Sequence, residues 1–255
     1  MAEPVVLSGS SINTFLRCPR QWEYAYVWRL KRPPSLKQVL GISAHEAVEV
    51  DLRQKVESRV DLPVEAVVDA FADSFKKESV DAPEQPSKGE TRASMLDSGV
   101  QAVKAWHAKV APTYQPVLVE RHLQFALNGI PIDGTIDCVD EAGIIRDHKF
   151  VSKTPSSSEQ YILNMTGYAI GYRRMTGGIE SGIQLDHIVR LKKEPNYVPL
   201  SSDGPVPDDA IVAYAGIVED VHRSIQAGIF PPHGLKSGAC SWCGYSDICT
   251  AYKRR

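Results

Sequence analysis

The stretch CSWCGYSDICT, residues 240 to 250, holds Cys240, Cys243 and Cys249, three of only five cysteines in 255 residues. In a reducing compartment clustered thiols serve metal or redox chemistry before disulfides, and a metal site of this kind normally takes a fourth ligand. A second set able to do chemistry is Asp137, Asp147 and Lys149. If Glu141-Ala142-Gly143 is a three-residue hairpin loop with Gly143 at positive φ, the flanking strands pair so that Asp137 faces Asp147. Carboxylates opposed across a ladder repel. A divalent cation between them reverses that sign, and carboxylate oxygens are natural ligands of Mg²⁺ or Mn²⁺. Lys149, two residues beyond Asp147, shares its face; an ammonium there can hold an attacking water or neutralise charge developing on a phosphate. A salt-bridged surface patch of two aspartates and a lysine is the competing reading of this spacing.

The elements that must position these groups follow from pattern. Ser10 can cap a first helix, SINTFLR, and Cys18-Pro19 reads as the N-cap and first residue of an aromatic-rich helix, PRQWEYAYVWRL. Residues 33 to 41 read as a loop, followed by a helix from about Ser43 and two more near 63 to 79 and 91 to 110, separated by DAPEQPSKGE. From Pro116 the pattern turns to strands: PVLVERHLQFAL, IPIDGTIDCVD and GIIRDHKF, with Asn128-Gly129 as a hairpin signal. A helix from about Ser156 to Met175 opens on a Ser156-x-x-Glu159 capping box and stops at Gly177-Gly178. A strand GIQLDHIVRLKK, a Pro-rich loop from 194 to 207 and a helix PDDAIVAYAGIVEDVHRSIQAG complete the body. This order predicts one mixed α/β domain over residues 1–255: a mainly helical part (1–115), a strand-rich core (116–230) and a C-terminal cysteine segment (231–255).

Length and composition are those of an ordinary globular protein, large enough to bury a core without disulfide staples. The N-terminus lacks the pattern of a signal peptide, and no run of about 18 apolar residues occurs, so a soluble, cytoplasmic protein is expected. Net charge is −2, which advertises no nucleic-acid partner globally. Locally Arg17, Arg20, Arg29, Lys31 and Arg32 cluster near one end, Arg190, Lys192 and Lys193 follow a late strand, and Lys253, Arg254 and Arg255 close the chain. Any such run alone is ordinarily a solvated face. No G-x-x-x-x-G-K-[ST] loop is present, so a motor that hydrolyses ATP by that route would have to be a separate helicase partner.

GTIDCVDEAGIIRDHK resembles the G-x-x-D then D-x-K core of the PD-(D/E)xK nuclease superfamily, and GISAHEAVE resembles the G-x-x-x-H-x-x-x-E segment of its RecB-like branch. SSINTFLRCPRQWEYAYV is similar to the opening of branch members that carry an iron-sulfur cluster, among them the AddB nuclease domain, CRISPR-associated spacer-trimming exonucleases and phage relatives. The resemblance runs in order from Ser8 to Cys249. It implies a restriction-endonuclease-like mixed sheet flanked by helices, and a metal-dependent DNA exonuclease acting on ends or single strands in recombination, repair or phage DNA processing. It implies Mn²⁺ or Mg²⁺ held by His45, Asp137, Asp147 and the His148 backbone carbonyl, with Lys149 as the catalytic cation. It further implies a four-iron four-sulfur cluster on Cys18, Cys240, Cys243 and Cys249 that clasps the chain ends; the spacing itself leaves zinc open. Cys138, adjacent to Asp137, points to the opposite face and into the core. Tyr168 matches the tyrosine of a Q-x-x-x-Y pair that contacts DNA, while Asn164 stands where the glutamine is expected and Gln160 lies one turn earlier. Glu49 and Glu120 are candidates beside the metal, and Arg20 a candidate DNA contact. Two rivals remain: a catalytically silent DNA-binding scaffold of the same fold, and a zinc-clasped protein unrelated to nucleic acid.

Overall fold

A computed structural model describes residues 5–85, 87, 89–154, 159–191 and 194–253. The chain forms a six-stranded mixed sheet flanked by helices, in the order β1 (Leu7–Ser8), α1 (Gly9–Arg17), α2 (Pro19–Trp22), α3 (Leu36–Ser58), α4 (Val64–Glu78), α5 (Arg92–Lys109), β2 (Pro116–Leu127), β3 (Ile130–Asp140), β4 (Ile144–Val151), α6 (Glu159–Thr176), β5 (Gly182–Val189), β6 (Asn196–Ser201) and α7 (Asp208–Gln226). Two single turns, α8 (Gly234–Ser237) and α9 (Thr250–Lys253), flank the C-terminal cysteines.

Strand β3 is the hub. One of its edges pairs with β2 in an antiparallel hairpin, closed by Asn128 and Gly129 at φ 50° and 80° as that dipeptide predicts. Its other edge is shared. The short β1 pairs in parallel at Ile132 and Asp133, and β4 pairs antiparallel only at Cys138↔Arg146 and Val139↔Ile145. This is the register set by the Glu141-Ala142-Gly143 loop, with Gly143 at φ 79° and its N–H bonded to the Asp140 carbonyl. Past Arg146, β4 leaves β3 and runs parallel with β5 from Ile144↔Gly182 to Val151↔Val189. Strands β3 and β4 therefore open into a fork at the level of Asp137 and Asp147.

Helices α3, α4 and α5 pack on one face around Phe71, Phe75 and Trp106, in a cluster that includes Cys138 and Ile188. Cys138 is fully buried there, as strand alternation requires. On the other face α6 lays Met165 and Ala169 on Ile145 and Leu185. A third cluster joins α1, the Trp22 aromatic set and α7. Among the described residues no helix is long and apolar enough to cross a membrane.

Several sequence expectations need correction. Ser8, not Ser10, caps α1: its hydroxyl accepts from the Ser11 N–H at 3.2 Å, and the Ser11 hydroxyl accepts from the Ser8 N–H at 2.8 Å. Helix α3 begins at Leu36 rather than near Ser43, because Ser35 and Gln38 form a capping box across residues expected to be loop. The aromatic helix is α-helical only to Trp22, then widens to a π-helical turn over Glu23–Val27, closed by the Trp28 N–H on the Glu23 carbonyl. The loop from 194 to 207 contains an edge strand, β6, whose Pro199 is tolerated because one edge has no partner strand. The short strand β1 lies within the part expected to be helical. The Ser156 capping box, Lys192, Lys193, Arg254 and Arg255 lie outside the described residues.

Candidate active site and cysteine centre

The fork assembles the acidic residues. Asp137 leaves β3 just where β4 diverges, and its Oδ2 accepts the His148 backbone N–H at 3.1 Å, bridging the gap in place of the missing ladder bond. A strand residue presents its N–H and C=O to the same edge, so the His148 carbonyl faces the fork as well. His45, in the third turn of α3 and not the first as expected, brings Nδ1 to 3.3 Å from Asp137 Oδ2. Glu120 arrives from β2, whose hairpin register sets it opposite Asp137 between the pairs Val119↔Cys138 and Arg121↔Ile136. Its backbone is left-handed, φ 46°, a conformation that costs a non-glycine residue energy and that clusters at functional positions. The ligand atoms of His45, Glu120 and Asp137 all lie within 4.8 Å of one another, the one such group of three or more among the described residues.

Asp147 is not in that group. It is buried, and Lys149 Nζ sits across both its oxygens at 2.8 and 2.7 Å. Burial, with Asp137 nearby, raises the Asp147 pKa against the opposing pull of Lys149. Burial also opposes the charge on Lys149, but Asp147 and Asp137 outweigh it and hold the ammonium well above its ordinary range. Burial first, then the charges of Asp137, Glu49 and Asp147, push Glu120 up to about 7. Asp137 thus contributes to raising the pKa of both Glu120 and Asp147, and the three carboxylates lie beside an imidazole. Hard oxygens plus one nitrogen suit Mn²⁺ or Mg²⁺.

Behind β4 the His148 ring is fully buried, and burial lowers its pKa to about 4, so it is neutral. Its Nε2 lies 3.2 Å from the Tyr114 hydroxyl, and Asp186 accepts from Tyr197 at 2.6 Å and from Arg146 at 3.3 Å. Arg146 also donates to Asp140 at 2.7 Å, so the guanidinium is compensated within the core. This network fixes the part of β4 from which the His148 peptide projects.

The remaining candidates divide. Tyr168 of α6 lies over Gly134, 3.6 Å from where a β-carbon would stand, and burial with the charges of Asp147 and Asp137 raises its pKa. Asn164 turns to α1, where its Oδ1 accepts from Asn13 at 2.8 Å and Gly9 is packed against it. Gln160 belongs to α6 with its side chain outside the described residues. Glu49 is held by Arg53 at 2.6 Å, and Arg20 by Glu23. The prominence of Glu120 was readable from Asn128-Gly129, because a two-residue hairpin carries its register straight back to Asp137.

Far along the chain but together in space, Cys18, Cys240, Cys243 and Cys249 line one small cavity with Tyr24 and Gln21. A β-carbon on Gly234 would fall 3.0 Å from the Cys240 sulfur and 3.5 Å from that of Cys18, so a side chain there would crowd the Cys240 thiol. Arg32 binds Asp247 through both carboxylate oxygens at 2.8 Å, and Tyr245 donates to the Leu30 carbonyl at 2.7 Å, tying the two segments from outside.

Comparisons with known proteins bear on the family and the fold. The sequence matches the PD-(D/E)XK nuclease superfamily over residues 6–250. The structure is similar to a crystal structure of a protein from Eubacterium rectale provisionally named an exonuclease, with a TM-score of 0.62 and 13% identity over 98% of this chain and 88% of that one. A more distant solved structure, SSO0001, gives a TM-score of 0.41 and 13% identity over 93% of this chain and 95% of that one. No curated protein matches the sequence. With the match covering all but the extreme ends, the chain belongs to the PD-(D/E)XK nuclease superfamily.

Proposed function

We propose that the protein is a metal-dependent DNA exonuclease of the RecB-like branch, with the fork between β3 and β4 as its active site. The observation that carries this reading is the convergence of His45, Glu120 and Asp137 beside the Asp147–Lys149 pair. His45, Glu120 and Asp137 would hold Mn²⁺ or Mg²⁺, with Asp147 and the His148 carbonyl available at the rim. The ion supplies Lewis-acid activation of the scissile phosphate and a lowered pKa for water. Lys149, kept protonated by Asp147, neutralises the charge that develops on the phosphate or orients the attacking water. Tyr168, beside the fork, borders the path of the substrate backbone. The sequence expectation names His45, Asp137, Asp147 and the His148 carbonyl as ligands with Glu120 beside the metal; this proposal brings Glu120 into the ligand set on its closeness to His45 and Asp137.

The four cysteines are proposed to bind an iron-sulfur cluster as a structural clasp. The meeting of Cys18 with the three C-terminal cysteines around one cavity supports a shared metal centre, and the choice of a cluster over zinc rests on the family resemblance. A spectrum of the purified protein decides it: broad absorbance near 400 nm rejects zinc, and a colourless, zinc-containing protein rejects the cluster. The nuclease reading is tested with end-labelled single-stranded and double-stranded DNA, each with either end blocked, in Mn²⁺, Mg²⁺ or chelator. Metal-dependent cleavage that stops when one end is blocked supports an exonuclease. No cleavage of any substrate would favour the silent DNA-binding scaffold.

A further inference from the structure

Aromatic residues beside the four-cysteine cavity are placed unevenly. Of the four tryptophans, Trp22 and Trp106 are buried, whereas Trp28 and Trp242 are 54% and 61% exposed. Tyr26, 45% exposed, stacks on buried Trp22 with ring centroids 5.0 Å apart and 24° between planes. Trp22 stacks in turn on Phe230 at 5.8 Å and 12°. Tyr26 is thus the solvent-facing member of a stack rooted in the core. The Arg17 guanidinium sits 4.9 Å from the Trp242 ring centroid, and its charge also reaches the Tyr26 phenol. Arg17 bonds only the neutral Gln21 and Thr14 side chains, and among the described residues Arg17, Arg29 and Lys31 pair with no carboxylate. Arg20 and Arg32, by contrast, are neutralised by Glu23 and Asp247.

Exposed aromatic faces next to uncompensated cations match one ligand chemistry, a chain of phosphates carrying flat bases. A duplex hides its base faces by stacking them on one another, so the fitting form is a single strand. Helix α1 also connects the site to α6. Asn13 lies one turn before Arg17 on α1 and donates to Asn164 of α6, the helix that places Tyr168 over Gly134. We propose that Tyr26, Trp242 and Arg17 form a stacking platform for single-stranded DNA beside the cysteine cavity, leading the strand across α1 and α6 toward the active site. The last step of that path rests on the nuclease reading; the platform itself does not.

The test measures binding of a labelled oligothymidylate of about 20 nucleotides and of an abasic strand of equal length and charge, without divalent metal so that nothing is cut. The unmodified protein should prefer the oligothymidylate. Trp242→Ala and Tyr26→Ala should each weaken that complex about 5- to 100-fold, the scale of one lost base stack, and leave affinity for the abasic strand in place. Arg17→Gln should weaken both complexes and flatten their salt dependence. Trp242→Phe should restore most of the preference, separating a lost stack from a lost fold. Equal affinity of the unmodified protein for the two strands, or no effect of either aromatic substitution, overturns the platform. Cleavage is read separately: Asp147→Ala should keep the preference for the base-bearing strand while hydrolysis is lost. A protein that prefers bases yet never cleaves would sink the nuclease reading and support the platform.

Discussion

At the scale of single residues, the fork is a set of opposed charges: Lys149 pairs with Asp147 and is also held up by Asp137, and the charge of Asp137 in turn raises the pKa of Glu120. Replacing Asp147 or Lys149 by alanine should lower DNA cleavage about 100- to 1,000-fold, the scale for removing one preorganised electrostatic group, with circular dichroism unchanged. Retention of most activity in both variants would remove the catalytic assignment. Glu120 adds a pH dependence of definite sign. Its carboxyl keeps its proton up to about pH 7 when folded but releases it near its ordinary value of 4.5 when unfolded, so its contribution to stability declines as pH rises from about 4.5 through 7. The ceiling is about 3 kcal/mol. Burial of neutral His148 adds a contribution of opposite sign below about pH 6.5, so the Glu120 effect is read as a difference. In chelator the melting temperature of the unmodified protein minus that of Glu120→Gln should fall between about pH 5 and pH 8, and Mn²⁺ should reverse the trend. A difference that rises over this range in chelator would show that the acidic cluster is not frustrated without metal. Asp137, Asp147 and Lys149 were legible because one tight loop fixes their register. Glu120 was underrated because its register comes from the other hairpin, and the two have to be combined on β3 before four side chains from four elements are seen to meet.

At the scale of elements, the fork exists because β3 shares one edge between β1 and β4, leaving residues between Asp133 and Cys138 without a strand partner on that side. Alternation and turn chemistry announce strands, but they do not say when a ladder ends, since that depends on which neighbour β4 follows. The parallel pairing of β4 with β5 decides it, a contact between segments separated by α6. The same limit hid β1 and β6, two short strands that exist only through their partners. The early start of α3 was local and legible, since Ser35-x-x-Gln38 is a capping box, but Gly41 and the two prolines before it read as loop. Helix packing offers a sharp test of whether the helical layer acts only as support. Gly99 of α5 lies under Phe71 of α4, and an added β-carbon would stand 2.0 Å from the ring. Gly99→Ala should therefore destabilise the protein by about 1–3 kcal/mol, read as a shifted denaturation midpoint. Specific cleavage activity of the folded fraction should remain within about twofold, because α4 and α5 contribute no ligand atom to the fork. A large loss of activity without loss of stability would mean that this layer sets the position of α3, and with it His45.

At the scale of the whole molecule, the two ends of the sequence meet at the cysteine cavity, and the question is what holds them there. Protein contacts contribute: Tyr24 packs on Tyr245 with ring centroids 5.5 Å apart, and Arg32 grips Asp247. The ion pair is solvent-exposed on both sides and weakened by screening, so it is a poor candidate for the main restraint. A cluster bonded to Cys18 and to the C-terminal thiols would close a ring of more than 200 residues. By the loop-closure argument used for disulfides, that restricts the unfolded chain by about 5 kcal/mol. For a chain of this size the equivalent shift in melting temperature is about 10–20 °C. Cys18→Ala should then lose visible colour and melt lower by an amount on that scale, whereas Arg32→Ala should keep the colour and melt close to the unmodified protein. Cys138→Ala provides the control for a buried thiol outside the cavity, because it too should keep the colour. DNA affinity should fall in Cys18→Ala although no cysteine touches DNA, since Arg17 and Tyr26 stand on the N-terminal side of the clasp and Trp242 on the C-terminal side. A folded Cys18→Ala protein with unchanged melting temperature and unchanged affinity would leave the aromatic and polar contacts between the two segments as the restraint that brings the chain ends together.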